Sequence, residues 1–148
     1  MEKLKEQILL KFPAYNKNPE FKVAVTDKLI GRGKYGEVRV GVIKDKKDKK
    51  NKRLEIVAIK IVTKYSVSKG RALVQLQNEI NLLNVLKSPH IVSMKAYMQE
   101  KEDHYLAMEF CNGGDLQTVV DVKGGILSEL DARLVLISIA KAVAALHE

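Results

Sequence analysis

The chain has 148 residues, of which 46% are hydrophobic and 30% are charged, so it is long enough for one domain with a sizeable core. Nine Gly and three Pro exclude a collagen-like or low-complexity chain. A single cysteine, Cys111, excludes an internal disulfide and favours a reducing compartment.

The net charge of +8 is concentrated in one short segment. Residues 44–53 read KDKKDKKNKR, which contains seven positive and two negative charges. Because no aromatic residue lies in this segment, nucleic-acid bases would have nothing to stack on, and we interpret it as a solvated loop without a specific nucleic-acid partner. A weak contact with acidic surfaces remains the alternative interpretation.

The first 20 residues predict a short amphipathic helix, because Leu4, Ile8 and Phe12 are spaced by four before Pro13. This stretch is too short and too charged for a signal peptide. The chain also contains no run of about 20 uncharged residues that could span a membrane. We therefore expect a protein without a transmembrane segment that resides in the cytoplasm or, alternatively, in the nucleus.

The following residues predict the first three strands of an antiparallel sheet. Residues 21–26 and 38–42 alternate apolar and polar side chains, and glycines at 31, 33 and 36 lie between them, so this part predicts a hairpin with a glycine-rich connection. Residues 54–62 form a nearly continuous apolar stretch that predicts a third strand. The basic segment is the connection between this strand and the hairpin.

One helix and two more strands are predicted next. Residues 66–87 have helical spacing, and their apolar side consists of Leu73, Leu76, Ile80 and Leu83. Residues 91–98 and 104–110 predict two strands joined by a short charged turn, which suits an antiparallel sheet. On the first of these strands, Met94 and Met98 are interpreted as one core stripe.

A last helix is predicted to begin at Ser128, with Asp131 three residues later, close to a capping box. From residue 134 to residue 146 this helix is apolar on nearly all sides. Such a distribution is typical of a buried helix that other structure covers.

The hairpin connection carries the motif G-x-G-x-x-G-x-V, from Gly31 to Val38. Glycines allow backbone N–H groups to approach phosphate oxygens, because no Cβ stands in the way. A plain glycine-rich hairpin turn is the alternative without such a function. A dinucleotide-binding fingerprint would need a helix directly after the glycines, and that interpretation fails because a valine-rich strand follows here.

Lys60 lies in the third strand, within Val57-Ala58-Ile59-Lys60. On a strand its side chain shares a face with three apolar residues, Ile56, Ala58 and Val62. An ammonium group on such a face is costly unless an anion meets it. The alternative is a lysine of an edge strand that extends outward to water.

Glu79 is the predicted partner of that lysine. It lies three residues after Leu76 and four before Leu83, so it points inward with the apolar side of its helix. A carboxylate in this position also needs a partner of opposite charge. An ion pair between Lys60 and Glu79 would leave the remaining donor capacity of the lysine for phosphate oxygens.

The glycine motif, the strand lysine and the helix glutamate together resemble the small lobe of eukaryotic-type serine/threonine protein kinases, and the resemblance extends over residues 21–148. It implies that ATP binds beneath the glycine motif, that Lys60 holds its α- and β-phosphates, and that Glu79 positions the lysine. The nucleotide-binding positions that the resemblance implies in this part are Ile30, Gly31, Arg32, Gly33, Lys34, Tyr35, Gly36, Glu37, Val38, Ala58 and Lys60.

The segment from Tyr105 to Leu116 resembles the kinase hinge, most closely that of autophagy-initiating and calmodulin-dependent-like kinases. The resemblance implies that Met108 lies behind the adenine and that the backbone of Glu109 and Cys111 binds the adenine edge. It also implies that Asp115 approaches the ribose hydroxyls. The Cys111 side chain is interpreted as a packing group, with a reactive thiol as the alternative.

Two parts of a kinase are not found in these 148 residues: the His-Arg-Asp catalytic loop and the Asp-Phe-Gly segment. They supply the catalytic base and the metal ligands. We therefore expect a kinase truncated before its catalytic loop and inactive as it stands, with Mg²⁺ expected only for the intact kinase. The three histidines show no metal-ligand spacing, and we expect no metal site.

The predicted fold class is α+β, with a five-stranded antiparallel sheet and one helix followed by the first helices of an incomplete helical large lobe. Residues 1–20 would be an extension, 21–110 the small lobe, 111–116 the hinge and 117–148 the start of the large lobe. The intact protein would transfer the γ-phosphoryl group of ATP to serine or threonine hydroxyls of protein substrates. The alternatives are a pseudokinase or nucleotide-binding regulatory fragment and a basic adaptor for acidic partners.

Overall fold

The computed structural model describes residues 21–33, 36–45, 54–63 and 71–147. The predicted N-terminal helix and most of the basic segment lie outside these residues, as do Lys34, Tyr35 and the beginning of the predicted long helix. Among the described residues, no helix is both long enough and apolar enough to cross a membrane.

Five strands form one antiparallel sheet, as the sequence predicts. Their bounds are β1 (Phe21–Gly33), β2 (Gly36–Asp45), β3 (Glu55–Val62), β4 (Met94–Glu100) and β5 (Asp103–Glu109). The order in the sheet is β1-β2-β3-β5-β4, so β3 is the central strand. The pairing of β1 with β2 continues to Gly33 and Gly36, so the glycine motif lies at the end of this hairpin.

Three helices complete the described chain: α1 (Arg71–Val85), α2 (Leu116–Val122) and α3 (Glu129–His147). The Oδ1 atom of Asp115 caps α2 by accepting a hydrogen bond from the Thr118 N–H at 2.7 Å. The Oγ atom of Ser128 accepts one from the Asp131 N–H at 3.1 Å and caps α3. The predicted start of the last helix is therefore confirmed, whereas the sequence pattern did not locate α2.

The two faces of the sheet carry separate apolar clusters, because side chains alternate along each strand. The face away from α1 buries a set of strand residues that includes Val23, Val57, Ile59, Met98 and Tyr105. On the other face, Val62 and Leu106 of the sheet pack with Leu76 and Ile80 of α1, and we call these four residues the α1 cluster. Lys60 shares this face with Val62, so α1 covers the face that carries the lysine.

An irregularity in β4 separates the two methionines. Met94 pairs with Met108 and Ala96 pairs with Ala107, so β4 has one extra residue between these pairs, as in a β-bulge. Met94 therefore packs against the α1 cluster, whereas Met98 is buried on the opposite face. The prediction of one core stripe is wrong, because the extra residue changes the face of the sheet on which the side chains lie.

The beginning of β4 and the burial of α3 also differ from prediction. β4 begins at Met94 rather than at residue 91, since a turn precedes it in which the Ile91 N–H donates to the Ser88 carbonyl oxygen at 3.2 Å. α3 contains no buried residue, and Leu134 and Leu136 are more than half exposed. The apolar pattern of this helix suits packing against other structure, and the described elements leave most of that apolar surface uncovered.

Candidate functional site

Lys60 lies in the middle of the sheet, on β3 between β2 and β5. Its register partners are Val38 on β2 and Leu106 on β5, and Leu106 in turn pairs with Tyr97 on β4. These four side chains form one row across the face that α1 covers. The alternative of an edge lysine is excluded, because β3 has a neighbouring strand on each side.

The Lys60 ammonium group forms an ion pair with the Glu79 carboxylate. The Nζ atom lies 2.8 Å from Oε1 and 2.5 Å from Oε2, and the two side chains are 29% and 34% exposed. Glu79 reaches the lysine from the inward side of α1, next to the buried Ile80. The structure thus brings the two predicted residues together, and part of the lysine remains open to a ligand.

The glycines of the motif differ in how the fold constrains them. A Cβ on Gly36 would overlap the carbonyl oxygen of Ile61, so the close packing of β2 on β3 requires glycine there. A Cβ on Gly31 would meet nothing within 4 Å, and one on Gly33 would meet only a carbonyl oxygen, at 3.9 Å. The described fold therefore gives no steric reason for Gly31 and Gly33, and the space where a Cβ would stand is open to a ligand.

Glu37, which follows the last glycine, is part of a charged network on the hairpin. Its carboxylate accepts a hydrogen bond from Arg39 Nε and lies 3.7 Å from Nε of Arg32, its register partner on β1. The hydrogen bond from Arg39 lowers the pKa of Glu37, and the charges of both arginines act in the same direction, against desolvation. Arg39 also donates to the Asp27 carbonyl oxygen at 2.9 Å, so these groups hold the two strands together.

Ala58 and Met108 lie next to each other on the face of Lys60. They are register partners on β3 and β5, and Val40 on β2 pairs with Ala58 from the other side. All three side chains are partly exposed, and Met108 also packs against the α1 cluster. Together they form an apolar surface beside the lysine that a flat aromatic ring could cover. Ile30, another nucleotide-binding position that the resemblance implies, lies on β1 and is 48% exposed, so its side chain is accessible to a ligand.

The segment that follows β5 carries free backbone groups. The Glu109 N–H donates to the Ser93 carbonyl oxygen at 2.9 Å, and the Glu109 carboxylate accepts from the Ser93 hydroxyl at 3.2 Å. Cys111 is exposed, so its interpretation as a packing residue is wrong: it lies past the end of β5, outside both apolar clusters. Among the described residues, neither its N–H nor its C=O has a hydrogen-bond partner.

Asp115 has a structural task in addition to its predicted role. Besides capping α2, its Oδ1 accepts a hydrogen bond from the Thr118 hydroxyl at 2.7 Å. The hydrogen bonds from the Thr118 hydroxyl and backbone lower the pKa of Asp115, so the group is a carboxylate at neutral pH. An aspartate directly before an apolar run is a typical helix start, and this signal could have located α2 from the sequence.

His104 has a hydrogen-bond partner inside the fold. Its Nδ1 lies 2.7 Å from the Tyr97 hydroxyl oxygen. Burial lowers the pKa of His104, with the charge of Asp103 opposing, and burial raises the pKa of Tyr97. This pair has no signal in the sequence, because its members are seven positions apart on two strands. Within the described ranges, no three metal-ligating side chains come together.

Comparison with known proteins places this arrangement in a family. The family model described as protein kinase domain matches residues 24–148. Serine/threonine-protein kinase ULK3 from Homo sapiens is 38% identical over 119 residues, which cover 80% of this chain and 24% of that protein. Serine/threonine-protein kinase 33 from Mus musculus is 31% identical over 120 residues, which cover 81% of this chain and 23% of that protein.

A solved structure agrees with these sequence comparisons. The structure of Rad53 in complex with AMP-PNP matches with a TM-score of 0.63 and 26% identity, covering 75% of this chain and 27% of that chain. The chain therefore belongs to the protein kinase family, and the resemblance and fold class predicted from the sequence are confirmed. It spans about a quarter of the length of the two curated relatives.

Proposed function

We propose that this chain is the ATP-binding portion of a serine/threonine protein kinase whose intact form transfers the γ-phosphoryl group of ATP to serine or threonine hydroxyls of proteins. The observation that carries the proposal is the ion pair of Lys60 and Glu79 on the face next to the glycine motif. A sheet lysine that is held by a carboxylate from a separate helix is what phosphate positioning in kinases requires. The names of the two curated relatives, both serine/threonine kinases, support the choice of acceptor.

The phosphate end of ATP fits beside Lys60 and the glycine motif. Val38, the last residue of the motif, pairs with Lys60, so the end of the hairpin and the lysine lie on neighbouring strands about 5 Å apart. The open space where a Cβ would stand at Gly31 and Gly33 would let phosphate oxygens approach the backbone there. Lys60 would neutralise the phosphates, and Glu79 would act by holding the ammonium group in place.

The adenine and ribose fit the adjoining surface. Ala58 and Met108 offer the apolar contact for the adenine ring. The Glu109 N–H already bonds to Ser93, so Glu109 would accept from the adenine edge through its carbonyl oxygen, while Cys111 would supply its free backbone groups. The hydrogen bonds that cap α2 use Oδ1 of Asp115, so Oδ2 is the atom that would meet a ribose hydroxyl.

We propose Mg²⁺ binding for the intact kinase and not for this chain alone. The described residues contain no cluster of metal ligands, and we assign neither a metal ligand nor a catalytic base to this chain. Its contribution would be to bind ATP and to position the phosphates, which accounts for a large part of catalysis in phosphoryl transfer. A cytoplasmic location is proposed from the single cysteine, which suits a reducing compartment.

The test is titration of the chain with AMP-PNP, a non-hydrolysable ATP analogue, by calorimetry. Lys60→Met should weaken binding about 10- to 100-fold, the range expected for the loss of a charged hydrogen bond. The matched control is Lys95→Met, since Lys95 is also a strand lysine paired with a glutamate, Glu55, at 3.0 Å. This control should leave the affinity within about twofold of the wild-type value.

Two results would overturn the proposal. One is a folded wild-type chain that does not bind AMP-PNP at millimolar concentrations. The other is an equal loss of affinity in Lys60→Met and Lys95→Met. In the intact kinase, incorporation of labelled phosphate into serine or threonine of a protein substrate, lost in Lys60→Met, checks the proposed reaction.

A further inference from the structure

Few side chains hold α1 on the sheet. Among the described side chains of this helix only Leu76 and Ile80 are buried, whereas Leu73 and Val74 are 42% and 61% exposed. Leu76 and Ile80 therefore supply the fully buried contacts of the described part of this helix. Because Glu79 lies between them in the sequence, those contacts also determine whether its carboxylate reaches the lysine.

Tyr97 is part of the surface on which α1 rests. It packs against the α1 cluster, and it lies two strands away from Lys60 in the cross-strand row, with Leu106 between them. Because neighbouring strands are about 4.8 Å apart, Lys60 and Tyr97 are separated by about 10 Å, roughly the diameter of a helix. α1 thus contacts the row at Lys60 through Glu79, while the α1 cluster contacts it at Tyr97.

The Tyr97 ring is fixed by His104. Its hydroxyl lies 2.7 Å from Nδ1 of His104, and the two rings are stacked at 15° with their centres 6.1 Å apart. His104 is buried and sits on β5 between Val62 and Gln99 in the register, so it is itself rigidly placed. Neutral histidine carries a proton on one ring nitrogen only, so the tautomer sets which partner donates in this hydrogen bond.

We propose that Tyr97 is a positioning residue: its ring, fixed by the hydrogen bond to His104, supports α1 where Glu79 reaches Lys60. Without the hydroxyl the ring loses its hydrogen bond to His104, the α1 cluster repacks, and the ion pair is formed less of the time. The importance of this support for ATP rests on the proposed function, because Lys60 is the group that would hold the phosphates.

The perturbation is Tyr97→Phe, which keeps the ring and removes the hydrogen bond. Its control is Tyr105→Phe, because Tyr105 is a buried tyrosine of the neighbouring strand on the opposite face of the sheet. Thermal melts establish that both variants fold. His104→Leu removes the same hydrogen bond from the histidine side and serves as a second, independent variant.

The first readout is the ¹⁵N NMR signal of the lysine ammonium groups in the ligand-free chain, which is sensitive to ion pairing. Tyr97→Phe and His104→Leu should each move the Lys60 signal towards its position in Glu79→Gln. The signal of Lys95, which is paired elsewhere on the sheet, should stay in place. A change confined to Lys60 separates positioning from general destabilisation, which would affect both lysines.

The second readout is the affinity for AMP-PNP in two backgrounds. Tyr97→Phe should weaken binding about two- to tenfold in the otherwise wild-type chain, as expected for one neutral hydrogen bond. In the Glu79→Gln background the same change should have no further effect, since Tyr97 acts through Glu79. Tyr105→Phe should leave the affinity unchanged in both backgrounds.

An unchanged Lys60 signal in folded Tyr97→Phe and His104→Leu chains would overturn the inference. So would equal losses of affinity in the two backgrounds, or a shift of Lys60 that Tyr105→Phe reproduces. If the wild-type chain does not bind AMP-PNP, the proposed function fails, and the ammonium signal alone still decides whether Tyr97 positions the ion pair.

Discussion

Lys60 and Glu79 are expected to act as one unit, and two substitutions test this. Lys60→Met places an unbranched apolar side chain beside Ala58 and Val62, which share its face, so the sheet should remain folded. Glu79→Gln keeps the size of the side chain and removes its charge. If Glu79 acts only by holding the lysine, its substitution should matter little once Lys60 has been replaced.

The magnitude follows from the geometry of the pair. Both carboxylate oxygens are within 2.8 Å of Nζ, but about a third of each side chain is exposed. Fully exposed pairs contribute about 0.2–1 kcal/mol, whereas breaking a buried pair costs about 3–5 kcal/mol. We therefore expect a coupling free energy of about 1–2 kcal/mol, which is a factor of about 5–30 in affinity or rate.

The assay is a double-mutant cycle on kcat/KM of the intact kinase, with AMP-PNP affinity of the chain as a second measurement. Lys60→Met should lower kcat/KM about 100-fold or more, because it removes a charge that stabilises the transferring phosphoryl group. Glu79→Gln should lower kcat/KM by a factor of about 5–30, which corresponds to the coupling free energy of the ion pair. The double variant should be close to Lys60→Met alone.

Two outcomes would refute this reasoning. Fully additive losses would show that Glu79 acts independently of the lysine, and near-normal turnover of Lys60→Met would show that the lysine does not hold the phosphates. The corresponding cycle with Lys95→Met and Glu55→Gln, a more exposed pair of strand residues, should leave kcat/KM unchanged. Thermal melts of all variants separate loss of function from loss of fold.

Gly36→Ala should lower the melting temperature strongly, because its Cβ overlaps a carbonyl of β3, whereas Gly31→Ala should keep the fold and weaken AMP-PNP binding. Equal melting temperatures of the two variants would contradict this. Burial holds the pKa of His104 below its usual value of 6.5, so the unfolded chain takes up a proton on this histidine at higher pH than the folded chain does. The free energy of unfolding should therefore be highest above about pH 6.5 and should fall as the pH drops below it. Denaturant titrations between pH 7.5 and 5 should show this slope, and His104→Leu should flatten it; an unchanged slope would assign the effect to other groups. Asp115→Asn should keep the α2 cap and weaken AMP-PNP binding, whereas Asp115→Ala should also lower the helix content measured by circular dichroism; normal affinity of Asp115→Asn would remove this residue from the ribose site.

The sheet could be predicted because its signal is local. Apolar and polar residues alternate in β1 and β2, and short connections lead to antiparallel pairing. The Lys60–Glu79 pair could also be predicted, because each residue lies on an apolar side where its charge requires a partner. Two local patterns and one electrostatic requirement were therefore enough to connect residues 19 positions apart.

The features that were missed depend on contacts that local patterns do not contain. The bulge in β4 moves Met94 and Met98 to opposite faces, and it is visible only in the register with β5. The exposure of Cys111 follows from the position at which β5 ends, not from the residue itself. The pairing of Tyr97 with His104 needs the diagonal contact between two strands, and no periodicity specifies it.

Strand register connects the stability of this sheet to its chemistry. Side chains alternate between faces, so a slip of β3 by one residue would move Lys60 to the face of Val57 and Ile59, away from α1 and Glu79. Gly36 and Gly41 oppose such a slip, because they are the positions of β2 that allow β3 to approach closely: a Cβ at either would overlap Ile61 or Ile59. Gly36 belongs to the glycine motif, yet its packing role concerns the sheet, while Gly31 and Gly33 remain open to a ligand. One motif therefore combines a residue that sets the register of the lysine with residues whose backbone would face the phosphates.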